Sequence, residues 1–187
     1  MESFFYTDEF IERLEFEYIE TYSFQRGSDF EKDFEKVNNF RVWKVGFNQK
    51  KKSYSDTELE KVRELEKKLH PYLLNGDGVL HYSAEKKGHF KKEGLVVKEL
   101  REILTIPTDE VNHWMCAPFY RDAVVFYDEN NQIVDVLNVC LSCDHMFSWK
   151  RGPVDAGYET YQRIKQFFID IGHQVKRDFP TSRINHT

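Results

Sequence analysis

The sequence predicts an α+β fold: an antiparallel sheet, centred on a cysteine-bearing hairpin, packed by two or three helices. Segments 123–127 and 133–139 are short, apolar on both faces and separated by the polar turn 128–131, which is typical of a buried hairpin. Helical periodicity occurs on both sides of this hairpin. With 187 residues, of which 40% are hydrophobic and 16% aromatic, the chain is long enough to bury a core.

The N-terminal segment 8–24 carries two periodicities. Phe10 and Leu14 have the spacing of one helical face, whereas from Leu14 to Tyr18 apolar and acidic residues alternate, as they do in a strand. Thr7 is a residue type that favours the N-cap position. We therefore expect a short helix, capped by Thr7, that leads into a strand.

Two capping boxes predict the starts of two helices. In each box, a serine and a glutamate three residues later can satisfy one another's backbone N–H groups. The box at 28–31 predicts a short helix, which we expect to be followed by a strand at 40–47 because that segment is β-branched and aromatic. The box at 55–58 predicts an amphipathic helix that continues to about Leu73, with a kink or an early stop as the alternative because Pro71 follows His70.

Three further elements complete the expected fold. We expect a short strand at 79–83 and a helix at 95–104 that stops before Pro107. A C-terminal helix is expected at 156–171, since apolar residues recur along one side of it and Gly172 follows as a stop. We expect the helix that begins at Ser55 and the C-terminal helix to pack on the sheet.

The domain organisation expected from these patterns is a single domain over residues 1–187. Residues 1–50 form an N-terminal elaboration, which the polar run 48–53 separates from the rest. Residues 105–175 form a module that contains the cysteine hairpin and the C-terminal helix. Repeats and low-complexity tracts are absent from the sequence.

Charge and composition exclude several classes of function. The net charge of −5 disfavours nucleic-acid binding, which needs a basic surface, and the lysine runs at 50–52, 86–87 and 91–92 are interpreted as solvated segments. No window has the roughly 18 apolar residues needed to span a bilayer, so no membrane association is expected. The chain also shows no basic, apolar leader, and an odd number of cysteines is unlike a secreted disulfide framework. We expect a cytoplasmic protein.

The three cysteines form the chemically most suggestive group in the sequence. Antiparallel pairing of the predicted hairpin places Cys116 opposite Cys143 or Asp144, and Cys140 lies three residues before Cys143. Pro118 would interrupt the ladder just before this point. The hairpin therefore predicts that all three thiols lie near one another.

A zinc site is one interpretation of this cluster. Cys140 and Cys143 supply two thiolates from one tight turn, Cys116 supplies a third, and His113 or His145 supplies a fourth ligand. The cofactor predicted by this interpretation is zinc. Only one Cys-x-x-Cys pair is present, and the sequence does not choose between the two histidines.

Three other interpretations remain open. Arg121 and Asp144 are charged residues that could modulate the thiols, and Arg121 would favour a thiolate suited to redox chemistry. A cysteine nucleophile assisted by a histidine and Asp144 is a further alternative, although no oxyanion-hole motif accompanies it. Free cysteines also commonly occur as small buried hydrophobic residues with no chemical role.

Three segments resemble an uncharacterised bacterial family. They are Cys-Ala-Pro-Phe-Tyr-Arg-Asp-Ala at 116–123 with Val-Phe-Tyr-Asp at 125–128, the strand end Leu-Asn-Val-Cys-Leu-Ser-Cys at 137–143, and a final helix closing with Ile-Gly-His at 171–173. The resemblance covers about a third of the chain. It implies a reusable module of cysteine hairpin and C-terminal helix, and it implies no activity.

These observations favour a non-enzymatic binding protein. The chain lacks a phosphate loop, a nucleophile elbow and a zinc-protease motif, so we expect no catalytic residues. Its acidic charge suits a basic protein partner, and an immunity-type inhibitor of a toxin domain is one such protein. The alternative is a thiol- or zinc-dependent protein with its site at Cys116, Cys140 and Cys143.

Overall fold

The computed structural model describes residues 5–44, 54–108, 110–111 and 117–175. These residues form five helices and six strands. In chain order the elements are α1 (Thr7–Glu12), β1 (Tyr18–Ser23), α2 (Ser28–Lys44), α3 (Asp56–Lys68), β2 (Glu85–Lys91), α4 (Leu95–Leu104), β3 (Asp122–Tyr127), β4 (Ile133–Cys140), β5 (His145–Ser148), β6 (Gly152–Val154) and α5 (Tyr158–Asp170).

All six strands belong to one antiparallel sheet, in the order β2-β1-β3-β4-β5-β6. The hairpin β3–β4 lies at its centre, so the α+β fold predicted from the sequence is confirmed. Tyr127 pairs with Ile133, as the predicted turn requires. Beyond a bulge at Val134 the pairing is shifted by one residue, and Ala123 lies opposite Asn138.

One face of the sheet is covered by helices α1, α4 and α5. Their apolar sides meet the inward residues of the central strands in a single continuous core. The helical contributors are Phe10 and Ile11 from α1, Val97, Leu100, Ile103 and Leu104 from α4, and Tyr161, Ile164, Phe167 and Phe168 from α5. The C-terminal helix therefore packs on the sheet as expected.

The opposite face is covered at one end by the connection between α3 and β2. Leu73 and Leu74 are fully buried there against Val125, Val136 and other strand residues. The buried side chain of Asn138 fixes this connection, because its Oδ1 accepts a hydrogen bond of 2.8 Å from the Leu73 N–H. A loop can replace a helix as cover only when its backbone polar groups find such partners.

Helices α2 and α3 pack on each other around Val37, Phe40 and Val62. The expectation that the helix starting at Ser55 would cover the sheet is therefore wrong. The expected strand at 40–47 is also wrong over 40–44, because α2 continues to Lys44 and uses Phe40 at helical spacing to meet α3. Residues 45–47 lie outside the described part of the chain.

The remaining predicted boundaries are mostly confirmed. A helix and then a strand occupy the N-terminal segment, although Thr7 is the first helical residue and Tyr6 holds the N-cap position. The Ser55 capping box is present, but α3 stops at Lys68, shortly before Pro71. The helix at 95–104 is correct at both ends, and Gly172 follows α5 with φ +89°.

The strand expected at 79–83 is absent from the described structure, where Leu80 forms only an isolated bridge to Leu74. The chain instead enters β2 at Glu85. This strand was not predicted because five of its seven residues, Glu85, Lys86, Lys87, His89 and Lys91, are polar. Strands β5 and β6 were also missed, being only four and three residues long.

Truncation of Phe126 in β3 tests the position of the core. Its ring is fully buried and packs edge-on against Phe16 at 5.0 Å and Phe10 at 5.8 Å. We expect Phe126→Ala to lower the free energy of unfolding by about 3–5 kcal/mol, through lost burial and the remaining cavity. In urea denaturation the control Leu95→Ala, at an 83% exposed position, should change it by less than about 0.5 kcal/mol. Equal losses of stability in the two variants would contradict the assignment of Phe126 to the core.

Candidate functional site

Cys140 and His145 lie side by side at one end of the sheet. They are direct partners in the β4–β5 ladder, so their side chains share a face. Cys140 is a free thiol with no exposed surface. Its Sγ accepts a hydrogen bond of 3.2 Å from the Phe119 N–H and lies 3.4 Å from Ser142 Oγ.

His145 is joined to a buried tyrosine. Its Nδ1 lies 2.9 Å from Tyr120 Oη. Burial lowers the pKa of His145, while the negative charge of Asp155 acts in the opposite direction. Burial also raises the pKa of Tyr120, so both side chains are neutral at pH 7.

The other predicted residues are brought only partly together. The sulfur of Cys143 lies 3.9 Å from the carbonyl oxygen of Ala117, so the chain entering β3 returns to the turn between β4 and β5. The guanidinium of Arg121 lies over the Phe119 ring at 5.0 Å from its centroid. Asp144 has the left-handed φ of +46°.

Cys143 is disulfide-bonded in this structure, so its sulfur is not a free thiol there, whereas Cys140 is. Cys116 and His113 lie outside the described residues, so the complete zinc set and the complete thiol cluster stay predictions. Among the residues that are described, no three histidine, cysteine or acidic side chains are close enough to hold a metal ion. Cys140 and His145 are the pair from the predicted set that the strand register places together.

A buried ionic network that sequence reasoning missed lies at the start of β3. The carboxylate of Asp122 accepts two hydrogen bonds from Arg26, of 2.8 and 2.9 Å, and a third of 2.7 Å from Nδ1–H of His173. Asp122 is 1% exposed and the His173 side chain is fully buried. The network therefore fixes His173, in the segment after α5, to the first residue of β3.

The charge state of Asp122 follows from these contacts. Burial alone would raise its pKa, but the hydrogen bonds and charges of His173 and Arg26 outweigh burial and lower the pKa. A sequence signal existed for this network: Asp122 opens a strand that is apolar on both faces, and a carboxylate there needs a cationic partner. Neither Arg26 nor His173 could be chosen as that partner from the sequence alone.

A second feature that was missed is a group of exposed apolar side chains beside two carboxylates. Phe34 in α2 is 38% exposed, and Tyr82 is 45% exposed. The aromatic–acidic patch, as we name it, consists of Phe34, Val79, Leu80, Tyr82, Asp29 and Asp33.

Aromatic contacts with neighbouring rings hold Phe34 of the patch in position. Phe34 stacks on the buried ring of Phe30 at 5.7 Å and meets Phe119 edge-on at 5.5 Å. Burial, with the charge and hydrogen bond of Asp33 and the charge of Asp29, raises the pKa of Tyr82 to about 12. Both carboxylates therefore lie within electrostatic reach of the Tyr82 hydroxyl.

Several lysines in the predicted basic runs are paired with acids. Lys86 Nζ lies 2.9 Å from a carboxylate oxygen of the buried Glu20, and Lys92 Nζ lies 3.6 Å from a carboxylate oxygen of Glu17. Lys87 lies 2.6 Å from Glu85 within β2. The run at 50–52 lies outside the described residues. This pairing weakens the case for a phosphate-binding surface on β2.

No protein-family model, curated protein or solved structure matches the chain. Within the described ranges, no helix has both the length and the apolar character needed to cross a membrane. Any statement about function therefore depends on the geometry of the residues themselves.

Removal of the Asp122 carboxylate tests the ionic network. We expect Asp122→Ala to lower the free energy of unfolding by about 3–5 kcal/mol, because Arg26 is left with an uncompensated charge. The control is Asp77→Ala in an exposed turn, which should be close to neutral. In wild type, the stabilisation should be present above pH 4 and be lost as acid protonates Asp122, since its pKa is lower folded than unfolded. A neutral Asp122→Ala variant in urea denaturation would contradict the network.

Thiol labelling tests the burial of Cys140. We expect iodoacetamide to alkylate Cys140 at least about a hundredfold more slowly in the native protein than in urea, because reaction requires local opening. Peptide mass spectrometry gives the rate for each cysteine, and Cys140→Ser identifies the peptide concerned. Fast native labelling of Cys140 would show that its sulfur is accessible.

Proposed function

We propose that this chain is a non-enzymatic, cytoplasmic binding protein that engages a basic protein partner, as an immunity-type inhibitor does. The observation that carries the proposal is the aromatic–acidic patch. Exposed rings next to carboxylates suit the recognition of arginine and lysine side chains, because a ring face attracts the cation and the carboxylate pairs with it.

The patch has the properties of an interface centre. Phe34 is held in place by stacking on Phe30, so little side-chain entropy is lost when a partner covers it. Aromatic anchors of this kind commonly supply most of the binding free energy. Phe119, which meets Phe34 edge-on, already has the guanidinium of Arg121 over its ring. A ring face next to the patch therefore accepts a guanidinium group.

Lysines also lie around the patch. Within α2, Lys36 is 3.1 Å from Asp33 and Lys32 is 3.7 Å from Asp29, so a cationic partner must compete with these exposed pairs. Lys67 and Lys68 border the cavity of about 330 Å³ next to Tyr82, together with Asp33. Lys67 is paired with Glu64 at 2.7 Å, which reduces the positive charge it presents to a partner. Elsewhere, residues 5–23 contain six acidic side chains and one basic one, so the negative charge of the chain is concentrated there. That excess favours association with a basic protein.

The second candidate function is a thiol- or zinc-dependent protein with its site at Cys116, Cys140 and Cys143, in which the disulfide bond of Cys143 must be reduced before its sulfur can bind zinc. The specific observation in its favour is the pairing of Cys140 with His145, beside the Phe119 N–H that bonds the sulfur. Stoichiometric zinc in the purified protein, measured together with its thiol content, would support this candidate. Metal-free protein with slow thiol labelling would not.

The patch is tested by comparing the proteins captured from lysate by wild type, by Phe34→Ser and by the double variant Asp29→Asn/Asp33→Asn. We expect wild type to enrich one or a few basic proteins, and each variant to bind these about 10- to 30-fold more weakly, as loss of a central anchor does. Leu95→Ser is the matched control, since Leu95 lies on α4 across the sheet and is more exposed than Phe34.

Binding of a purified captured protein is then titrated with each variant, and circular dichroism verifies that each variant is folded. The proposal is wrong if the captured proteins are acidic, or if the Phe34 and aspartate variants bind as tightly as Leu95→Ser. An affinity that weakens with added salt would agree with a charged interface.

A further inference from the structure

A buried histidine lies directly beneath the aromatic–acidic patch. His81 is 2% exposed and its ring stacks on Tyr82 at 5.0 Å. It also contacts the rings of Phe30 at 5.8 Å, Phe24 at 5.7 Å and His70 at 4.8 Å. The position of Tyr82 in the patch therefore depends on how His81 is held.

Hydrogen bonds from Ser83 determine the protonation state of His81. The Ser83 N–H donates to His81 Nδ1 at 3.2 Å. Because Nδ1 accepts that bond it carries no proton, so the Ser83 hydroxyl, whose Oγ accepts a bond of 2.8 Å from the Gln25 N–H, donates its own hydrogen to the same Nδ1, 2.9 Å away. Nδ1 therefore accepts twice and carries no proton. The ring is neutral, with its hydrogen on Nε2, which has no hydrogen-bond partner within the described structure.

A proton added to His81 must go to Nδ1, where two donors already point. It would leave the Ser83 N–H without its acceptor, and the Ser83 hydroxyl would have to turn so that its Oγ accepts from Nδ1–H as well as from the Gln25 N–H. Gln25 also joins two other segments, because its side-chain amide donates to the carbonyl oxygens of Pro71 at 2.9 Å and Tyr120 at 2.8 Å. Protonation therefore places a charge on a side chain that is 2% exposed and removes the acceptor of the Ser83 N–H, which weakens the packing of the segment at 79–84.

We propose that His81 is an acid-sensitive switch for the aromatic–acidic patch. Protonation of His81 releases the segment 79–84, which carries Val79, Leu80 and Tyr82, and leaves Phe34 in place on α2. The partner then loses one side of its binding surface. This inference rests on the proposed function for its consequence, whereas the switch itself is a property of the free protein.

The groups around His81 favour its neutral form. From the segment after α3, His70 faces it, and Lys67 and Lys68 border the same cavity as His70. From α2 the contact is the uncharged Phe30, while Asp29 and Asp33 of that helix act on Tyr82. Burial, with a smaller contribution from His70, lowers the pKa of His81 to about 4 from the ordinary 6.5.

The direction of the pH effect follows from the difference between the pKa of His81 in the closed protein and its ordinary pKa. An opened segment exposes His81, which then binds a proton more readily than the closed form. Between pH 6.5 and about 4, opening becomes more favourable as the pH falls, by about tenfold for each pH unit. Opening also breaks the 2.7 Å hydrogen bond from the His81 N–H to the Leu73 carbonyl oxygen, whereas Leu73 itself keeps its own anchor to Asn138.

Nuclear magnetic resonance of the full chain without any partner tests the switch. Side-chain spectra should show His81 as the Nε2–H form at pH 7. Amide exchange, corrected for its intrinsic pH dependence, should show opening at Ser83 rising about tenfold per pH unit below pH 6.5, while Val136 and Leu137 in β4 remain protected. Equal opening at β4 would indicate global unfolding and overturn the proposal, as would an unchanged Ser83.

The variant His81→Gln supplies an uncharged acceptor in place of the imidazole. It should remove the pH step, which is the rise of opening at Ser83 below pH 6.5. His89→Gln is the control and should retain it, because the half-exposed His89 on β2 contacts Tyr18 and Glu20 rather than the segment 79–84. A step that survives in His81→Gln would overturn the switch. If the Gln variant is unfolded, the wild-type measurement still decides. A switch without weaker partner binding at pH 5 would instead contradict the proposed function of the patch.

Discussion

Both faces of the β3–β4 hairpin are apolar, and this requires a cover on each side of the sheet. Val124 and Phe126 point to one face, and Ala123 and Val125 point to the other; all four are fully buried. Uncovered, each would expose apolar area that stabilises the fold by about 25 cal/mol per Å² when it is buried. The arrangement of the remaining elements follows from this requirement.

The two covers are made differently, and the buried polar side chains have a different role under each. Helices satisfy their own backbone groups, and on the α1, α4 and α5 side the buried Asp122 bonds to the side chains of Arg26 and His173. The connection between α3 and β2 has irregular backbone, and Asn138 and Gln25 supply the missing hydrogen bonds. Gln25 adopts φ +53° to do so, a conformation that costs about 1 kcal/mol or more outside glycine. On the side that bears the patch, buried amide side chains therefore hold loop backbone in place.

Elements that are specified by local pattern were predictable from the sequence. The apolar runs of β3 and β4, the helical spacing of 95–104 and the Ser55 capping box each determine an element without information from elsewhere in the chain. Elements decided by distant contacts were not predictable. Phe40 lies in a segment of strand-like composition, yet α3 gives it a helical partner, and the polar β2 is a strand because β1 pairs with it.

The candidate sites divide in the same way. Antiparallel pairing could predict that the ends of the cysteine hairpin approach one another, because the turn sets the register to within the one-residue shift that the Val134 bulge introduces. Asp122 and His173 are 51 positions apart and share no local pattern, so only the folded chain joins them. The patch was equally hidden, since the exposure of Phe34 and Tyr82 depends on how α2 and the α3–β2 connection sit against the sheet.

The composition of β2 has a consequence for how copies of this chain meet. In the part of the chain that the structure describes, β2 pairs only with β1, so its outer row of N–H and C=O groups has no strand beside it. Such an edge can template the addition of further strands and so seed fibrils. A second copy paired along this edge would bring its own lysines towards Lys91, which adds to the charge that Lys86 and Lys87 keep beside Glu20 and Glu85, and Gly88 adds no side chain to hold the pair together. Repulsion along this edge works against strand-by-strand polymerisation while leaving the rest of the surface free to recognise other molecules.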